Sequence, residues 1–135
     1  MTAQTSPSQG ANHSPSSLLI VGSVGLDTVQ TIAGKHDDIL GGAASYCSVA
    51  ASFLAPPRMV GVVGTDFPQE HTAFMKSRHV DLAGLEVADG KTFRWSGRYS
   101  DDFASRTTLD TQLNVFSTFK PKLPAAWKDS EFVFL

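Results

Sequence analysis

The sequence has little cysteine, little net charge and no long apolar run. Cys47 is the single cysteine among the 135 residues, so no disulfide can form within them, and this fits a reducing compartment. Apolar runs such as Leu18 to Val21 are far too short to cross a bilayer. The net charge is −2 and the 11 basic residues are scattered, without the basic cluster that nucleic acid or an anionic membrane attracts. We therefore expect a cytoplasmic protein with neither nucleic acid nor membrane as a partner.

Metal ligands and targeting signals are also missing from the pattern. The four histidines have no metal-ligand spacing and no Cys/His cluster is present, so no metal site is predicted. Residues 1–17 are rich in Ser, Gln, Asn and Pro and carry neither basic charge nor an apolar stretch, which argues against a secretory signal. Because they cannot bury enough apolar surface to offset their ordering entropy, we predict a disordered tail followed by a folded region over 18–135.

The first half of the folded region alternates between strand and helix patterns. Four segments are typical of strands, with residues 34–38 as a polar turn between the second and third: Leu18–Val21, 28–33, 39–40 and Met59–Val63. Two overlapping apolar stripes predict a helix over 43–55 that is buried on most sides. Asp66 is placed as the N-cap of a further helix, which should run to about residue 79. This order indicates an α/β domain.

The second half has a different character. Residues 91–99 alternate strictly between apolar and polar, and the threonine-rich residues 104–110 return as a second strand, which predicts an antiparallel hairpin. Its aromatic residues Phe93, Trp95 and Tyr99 are interpreted as packing residues. A short helix is predicted after Pro124, and residues 131–135 have the pattern of a buried strand. A buried parallel strand is normally followed by its crossover helix, so we expect the sequence to be incomplete.

Asp27 follows the strand-end turn "VGSVGLD". The turn is not a dinucleotide fingerprint, because the glycine spacing differs from G-x-G-x-x-G and a strand, not a helix, follows it. A carboxylate just past the end of a central strand lies where open α/β sheets bind ligands and can accept hydrogen bonds from ligand hydroxyls. The alternative is a solvated turn residue that caps its own backbone.

Gly41 and Gly42 stand directly before the predicted helix. Without Cβ atoms they would let a ligand approach the backbone, and the helix start would offer free N–H groups. A tight turn into a packed helix explains the pair equally well. Arg94 and Arg98 on the polar face of the hairpin point either at a ligand or, more commonly, at solvent.

These segments together resemble the N-terminal part of a PfkB-type (ribokinase-like) carbohydrate kinase over about residues 18–135. The matching elements occur in the family's order: "VGSVGLD", "GGAASYCSVAASFLA", "VGVVGTDFP", then "HVDLAGLEV" as a linker, and the polar-faced strands. The resemblance implies a mostly parallel sheet flanked by helices, with a small antiparallel β lid supplied by residues 28–40 and 91–116. It also implies that the domain is cut before the C-terminal nucleotide-binding half.

The resemblance also assigns the functional residues. Asp27 would hydrogen-bond the hydroxyls of a small-molecule sugar, Gly41 and Gly42 would line the sugar pocket, and Arg98 would contact the substrate. Tyr46 stands where many members carry a sugar-contacting asparagine. The intact enzyme would use ATP and Mg²⁺ to phosphorylate a sugar hydroxyl, and a homodimer would form through the β lid.

One departure limits the predicted activity. The family's C-terminal signature, with its glycine-rich anion hole and catalytic aspartate, has no counterpart here, so no catalytic residue is predicted and the fragment alone should be inactive. A nucleoside kinase of the same fold is the near alternative, because a base can stack on Tyr46. A non-catalytic sugar-binding protein and a dinucleotide-binding module are further alternatives.

Overall fold

A computed structural model describes residues 17–135, so the predicted tail lies outside the described residues except for Ser17. The elements are named here in chain order: β1 Leu18–Val21, β2 Gly25–Thr31, β3 Gly34–Gly41, α1 Ala43–Ala51, β4 Pro57–Gly64, α2 Gln69–Ser77, β5 Asp81–Ala88, β6 Phe93–Tyr99, β7 Arg106–Gln112 and β8 Phe132–Phe134. Two short 3-10 helices span Asn114–Thr118 and Ala125–Trp127. No helix within residues 17–135 has the length and apolar character that a membrane crossing requires.

The first sheet is parallel throughout and has the strand order β5-β4-β1-β8. Ile20 of β1 is aligned with Met59 of β4, and both side chains are fully buried. Met75 of α2 joins them in the core on one face, while Trp127 packs against Val60 on the other. Burial on both faces explains the continuous apolar run in β4, and each fully buried side chain of this size contributes roughly 1.5–3 kcal/mol.

The second sheet, which we call the lid sheet, consists of β2, β3, β6 and β7 in the order β3-β2-β6-β7. Its two outer pairings are antiparallel, whereas the central strands β2 and β6 run parallel. The predicted hairpin and the predicted lid strands are thereby confirmed. The α/β architecture with a separate small sheet follows from the chain leaving β1, crossing into the lid sheet, and returning to the core at α1.

Two segments differ from the sequence-based expectation. Residues 34–38, predicted as a polar turn, form the first part of β3, because their backbone pairs with β2 although their side chains are exposed. The segment "HVDLAGLEV" was expected to be a linker and contains β5, which pairs with β4 from Arg58 to Gly64. In both cases pairing to a neighbouring strand determined the conformation, and local composition gave no sign of it.

The sequence pattern overestimated how deeply two segments, the first helix and the last strand, are buried. Helix α1 ends at Ala51 instead of residue 55 and is not buried on most sides. Tyr46 is 63% exposed, and Phe53 in the turn after the helix is 73% exposed, because the parallel sheet covers only the face that carries Ala44 and Ser48. The strand predicted over 131–135 is confirmed as β8, but it is exposed rather than buried, since β8 contacts β1 along one edge only.

Candidate functional site

A cavity of about 360 Å³ lies between the start of α1 and one face of the lid sheet. Four strands or helices contribute its polar, glycine and aromatic lining, which comprises Asp27, Val29, Gly42, Tyr46, Phe93, Trp95, Tyr99 and Arg106. The structure therefore brings together Asp27, Gly42 and Tyr46, three of the residues singled out from the sequence. A cavity where a few polar groups converge among aromatic side chains is typical of a small-molecule site.

A larger groove of about 620 Å³ lies between α2 and β5. Its walls are mainly apolar, with Phe67, Leu82 and Leu85 among them, and it contains none of the residues predicted to bind substrate. The smaller cavity is the better candidate, because a buried acid, a cation and several aromatic rings converge there.

Asp27 supplies the acidic group of this cavity. It lies on β2, its side chain is half-buried, and no backbone or side-chain group within residues 17–135 donates a hydrogen bond to its carboxylate. Burial raises the pKa of Asp27 above its ordinary value of 3.8. A half-buried carboxylate without donors is costly in the empty protein, and ligand hydroxyl groups would remove that cost.

Glycine is required at positions 41 and 42 because other atoms of the protein lie close to their Cα atoms, which the local sequence does not reveal. A Cβ atom at Gly41 would collide with the carboxyl group of Asp27. Gly42 has φ +94°, and a Cβ there would collide with the carbonyl of Ser23 and approach Val24 Cα to 2.9 Å. Two backbone N–H groups at the start of α1 already have acceptors within the protein. The N–H of Ala43 donates to Ser23 Oγ and the N–H of Ala44 donates to the Ser23 carbonyl oxygen, each at 3.0 Å. The glycine pair thus permits the chain crossing that positions Asp27.

Replacing Gly42 with alanine is expected to destabilise the fold by about 1–3 kcal/mol, because a positive φ combined with extended ψ is accessible almost only to glycine. Urea unfolding followed by circular dichroism measures the change. Gly34→Ala is the matched control, since Gly34 also has a positive φ (+137°) but a Cβ there would contact nothing within 4 Å. Equal losses in the two variants would show that the contact with Ser23 carries no energy.

Aromatic residues of β6 form the wall opposite α1. The six-membered ring of Trp95 occupies the space over Gly97 where a Cβ would lie, and its Nε1 donates to Thr108 Oγ1 at 3.3 Å. Phe93 packs against Phe116 with ring centroids 5.6 Å apart. The sequence assigned these aromatic residues to packing, and the strict alternation in β6 was the available sign that Phe93, Trp95 and Tyr99 share one face.

The sequence analysis predicts that Arg98 contacts the substrate and does not single out Arg106. Arg98 lies on the opposite face of the lid sheet, where its guanidinium donates to Gln30 Oε1 at 3.0 and 3.1 Å, so the structure does not bring it to the cavity. Arg106 pairs with Tyr99 across the hairpin, and its Cζ lies 5.5 Å from the centroid of the Trp95 ring. Only the register of β7 places this cation at the site.

Tyr46 closes the cavity from α1. Partial burial, followed by the nearby charges of Asp27 and Tyr99, raises the pKa of the Tyr46 phenol above its ordinary value of 10.0. The phenol therefore stays protonated at neutral pH and can donate one hydrogen bond to a ligand and accept another.

A polar network joins the lid sheet to the core beside this site. We call it the Asp66 network; it comprises Asp38, Asp66, Thr92 and Arg94. Asp66 Oδ1 accepts from the backbone N–H and the hydroxyl of the fully buried Thr92, each at 2.7 Å. Arg94 donates to Asp66 Oδ2 at 3.1 Å and pairs with Asp38 of β3. Thr92 Oγ1 in turn accepts from the N–H of Gly64 at 2.9 Å.

The predicted N-cap role of Asp66 is therefore wrong. Pro68 occupies the N-cap position of α2, and no side chain caps that helix. Partial burial acts to raise the pKa of Asp66, but the hydrogen bonds from Thr92 and Arg94 outweigh it and hold the pKa below 3.8. The carboxylate that the local spacing assigned to the helix is instead bound by Arg94 of β6 and by Thr92, the residue before that strand.

The described residues do not form a cation site. No group of three or more His, Cys, Asp or Glu side chains within residues 17–135 is arranged to hold a metal ion. The glycine-rich signature that the resemblance associates with the nucleotide also has no counterpart in the sequence. Neither Mg²⁺ nor ATP is therefore assigned to residues of this chain.

Comparison with known proteins identifies the fold. No family model matches the chain. The ribokinase from Cryptococcus neoformans var. grubii, solved in complex with ADP, superimposes with a TM-score of 0.70 at 17% identity, covering 87% of this chain and 41% of that one. The Methanocaldococcus jannaschii nucleoside kinase, an archaeal member of the ribokinase family, gives a TM-score of 0.64 at 17% identity, covering 75% and 38%.

Two further similar proteins act on or bind nucleosides by name. The Burkholderia thailandensis nucleoside kinase, solved in complex with inosine, gives a TM-score of 0.63 at 19% identity, covering 72% of this chain and 36% of that one. A curated relative, the cytidine kinase of Thermococcus kodakarensis, is 31% identical over 86 residues, which are 63% of this chain and 31% of the relative.

The chain thus has a ribokinase-like α/β fold, as the sequence predicted. The proteins it is similar to are sugar and nucleoside kinases of the ribokinase family, and nucleotide use among them is shown by the ADP complex. The chain spans about a third of the length of the curated relative it matches.

Proposed function

We propose that residues 18–135 form the acceptor-binding and lid portion of an ATP-dependent kinase, and that the acceptor is a nucleoside whose ribose hydroxyl receives the γ-phosphoryl group. The observation that carries this proposal is the half-buried carboxylate of Asp27, which faces the cavity and has no donor within residues 17–135. Vicinal hydroxyl groups are donors that fit such a carboxylate.

The aromatic wall favours a nucleoside over a free sugar. Tyr46, Phe93, Trp95 and Tyr99 surround the cavity, and a nucleobase offers a flat face to such rings. The sequence analysis favoured a carbohydrate because of the family resemblance, and it gave a nucleoside as the alternative because a base can stack on Tyr46. The similarity to a cytidine kinase and to a nucleoside kinase with bound inosine supports the revised preference.

A free monosaccharide is the second candidate. Asp27, Tyr46 and Gly42 all line the cavity, and the carboxylate of Asp27 and the phenol of Tyr46 could recognise sugar hydroxyl groups without any base. A ribokinase among the similar structures agrees with this candidate.

The role of these residues in transfer is to bind and orient the acceptor. In the proposed reaction the hydroxyl oxygen bonds to the γ-phosphorus as the bond to ADP breaks, and positioning supplies much of the rate. The family resemblance gives the hydroxyl proton to an aspartate that has no counterpart in the 135 residues. We therefore expect these residues alone to bind an acceptor without phosphorylating it. A cytoplasmic location and a homodimer through the lid sheet stay predictions from the sequence.

Calorimetric titration of the 135-residue chain with cytidine, uridine, adenosine, inosine and ribose tests the acceptor. At least one nucleoside is expected to bind about tenfold or more tightly than ribose, because stacking of one base on aromatic rings contributes about 1–3 kcal/mol. Trp95→Leu should remove this preference while leaving ribose affinity unchanged. Phe53→Leu is the control, since Phe53 is an exposed aromatic residue in the turn after α1 and does not line the cavity.

Ribose binding as tight as nucleoside binding would support the free sugar instead, and an absence of binding by both would contradict an acceptor site. Transfer is measured separately, with ATP and Mg²⁺, by mass spectrometry of the products of a complete open reading frame that contains these residues. Acceptor binding without any phosphorylated product there would favour a non-catalytic binding protein.

A further inference from the structure

Arg106 differs from the other two arginines of the lid sheet in having no hydrogen-bond partner among the described residues. Within residues 17–135, Arg94 donates to two carboxylates and Arg98 donates to Gln30. Arg106 makes neither a hydrogen bond nor an ion pair with any residue in that range, although it lines the cavity. A guanidinium has five N–H donors in a rigid planar fork, so a ligand in the cavity can use them.

The surroundings of Arg106 restrict what that ligand can be. Its guanidinium carbon lies 5.5 Å from the centroid of Trp95, whose ring fills the space over Gly97 and is held by Thr108. A cation within about 6 Å of an aromatic ring is attracted to it, and this attraction favours a position of the guanidinium beside Trp95. Because the N–H donors of a guanidinium form a planar fork, two neighbouring acceptor atoms on the edge of a flat group match it better than a single hydroxyl does.

Asp27 and Arg106 lie on different strands of the cavity wall and have complementary hydrogen-bonding roles. Asp27 accepts and cannot donate, whereas Arg106 donates and cannot accept, and the aromatic residues lie between the strands that carry them. A ligand that satisfies both has donors at one end and acceptors at the other. A nucleoside has this polarity, with ribose hydroxyls as donors and the base edge as acceptor.

We propose that Arg106 is a specificity-determining residue that donates to a carbonyl oxygen and a neighbouring ring nitrogen of the nucleobase, such as O2 and N3 of cytosine or O6 and N7 of hypoxanthine, and so selects these bases over adenine. This inference rests on the proposed function. Arginine pairs in a bidentate manner with adjacent acceptors such as O6 and N7 of guanine. The corresponding edge of adenine carries an amino group, which is a donor and leaves one N–H of the guanidinium unpaired.

The test is the ratio of affinities for cytidine, uridine, inosine and adenosine, measured by calorimetry with the wild-type chain and with Arg106→Gln. Cytidine or inosine is expected to bind about tenfold or more tightly than adenosine, since a good bidentate pair contributes about 1–3 kcal/mol of discrimination. Arg106→Gln should bring that ratio close to one or invert it, because glutamine pairs with the edge of adenine. Circular dichroism confirms that each variant is folded.

Arg98→Gln is the matched comparison, because Arg98 lies on the same sheet but on the opposite face. The inference is overturned if Arg106→Gln weakens all nucleosides equally, changes none of them, or if Arg98→Gln alone alters the ratio; in each case nucleoside binding itself still supports the proposed function. A wild-type chain that binds ribose but no nucleoside overturns the nucleoside assignment and this inference together.

Discussion

Asp27→Asn is expected to reduce acceptor affinity roughly a hundredfold while making the empty chain more stable at neutral pH. Asparagine keeps the shape of the side chain but replaces one acceptor oxygen with a donor and removes the charge. Each hydrogen bond to a charged group contributes about 1.5–3 kcal/mol, so weakening two of them costs about 3 kcal/mol or more. Calorimetric titration with the best-bound nucleoside measures the loss.

The gain in stability follows from the direction of the pKa shift. Burial raises the folded-state pKa of Asp27 above 3.8, so the folded chain binds protons more readily than the unfolded chain does. The Asp27 carboxylate therefore disfavours folding at pH values above the raised pKa, and this cost is relieved as the pH falls through it. Asp27→Asn removes the cost at neutral pH, and its advantage should vanish under acid conditions in urea unfolding.

Lowering the pH relieves the cost of the Asp27 carboxylate to folding, but it should weaken acceptor binding. Hydroxyl groups donate to the carboxylate, so protonation of Asp27 weakens binding as the pH falls through its raised pKa. Asp37→Asn is the control, because Asp37 is an exposed lid residue whose carboxylate accepts from Lys35 and Thr28 outside the cavity. Unchanged affinity in Asp27→Asn would show that this carboxylate does not touch the acceptor.

Asp66→Ala is expected to destabilise the chain by roughly 2–4 kcal/mol. The N–H and hydroxyl of the fully buried Thr92 would lose their acceptor, and an unsatisfied buried donor costs about 1–3 kcal/mol. Arg94 would also lose one of its two carboxylate partners. The midpoint of urea unfolding at pH 7, with its slope, gives the change in free energy of unfolding.

The sign of the pH dependence gives a second readout for Asp66. Its folded-state pKa lies below 3.8, so its contribution is complete above that pH and is lost as the pH falls through the depressed value. Wild type and Asp66→Ala should therefore converge under acid conditions. Glu86→Ala is the control, since Glu86 pairs with Lys122 at the surface, where such a pair contributes about 0–1 kcal/mol. Equal losses in the two variants would contradict a special role for the Asp66 network.

The sequence predicted the elements whose pattern is local and periodic. The apolar run of β4 and the alternation in β6 were recognised because burial on two faces or on one face leaves a direct mark on the residues. Asp27 was recognised because it follows a buried strand, and the structure brings it to the cavity with Gly42 and Tyr46. The structure gave a different reason for the glycine pair, which makes room for Asp27 and for Ser23.

Two of the failures have one physical origin, which is that bonding to another segment of the fold overrode the preference of the local sequence. Asp66 has the spacing of an N-cap, but Thr92 and Arg94, 26 and 28 residues further on, hold its carboxylate. Residues 34–38 are as polar as a turn, yet backbone pairing with β2 makes them a strand, because ladder hydrogen bonds do not depend on side-chain polarity.

The amino-acid sequence by itself predicted an α/β domain, because periodic burial is a local feature, and its resemblance to PfkB-type kinases implied the ribokinase-like fold and Asp27 as a candidate site residue; the structure places Asp27 within β2, in the cavity lining. The tertiary structure alone decided which arginine faces the cavity. The pairing of β6 with β2 aligns Arg98 with Gln30, whereas the register between β6 and β7 aligns Arg106 with Tyr99 and brings it near Trp95. Register is a property of two paired strands, and a shift of β7 by one residue would turn Arg106 to the opposite face.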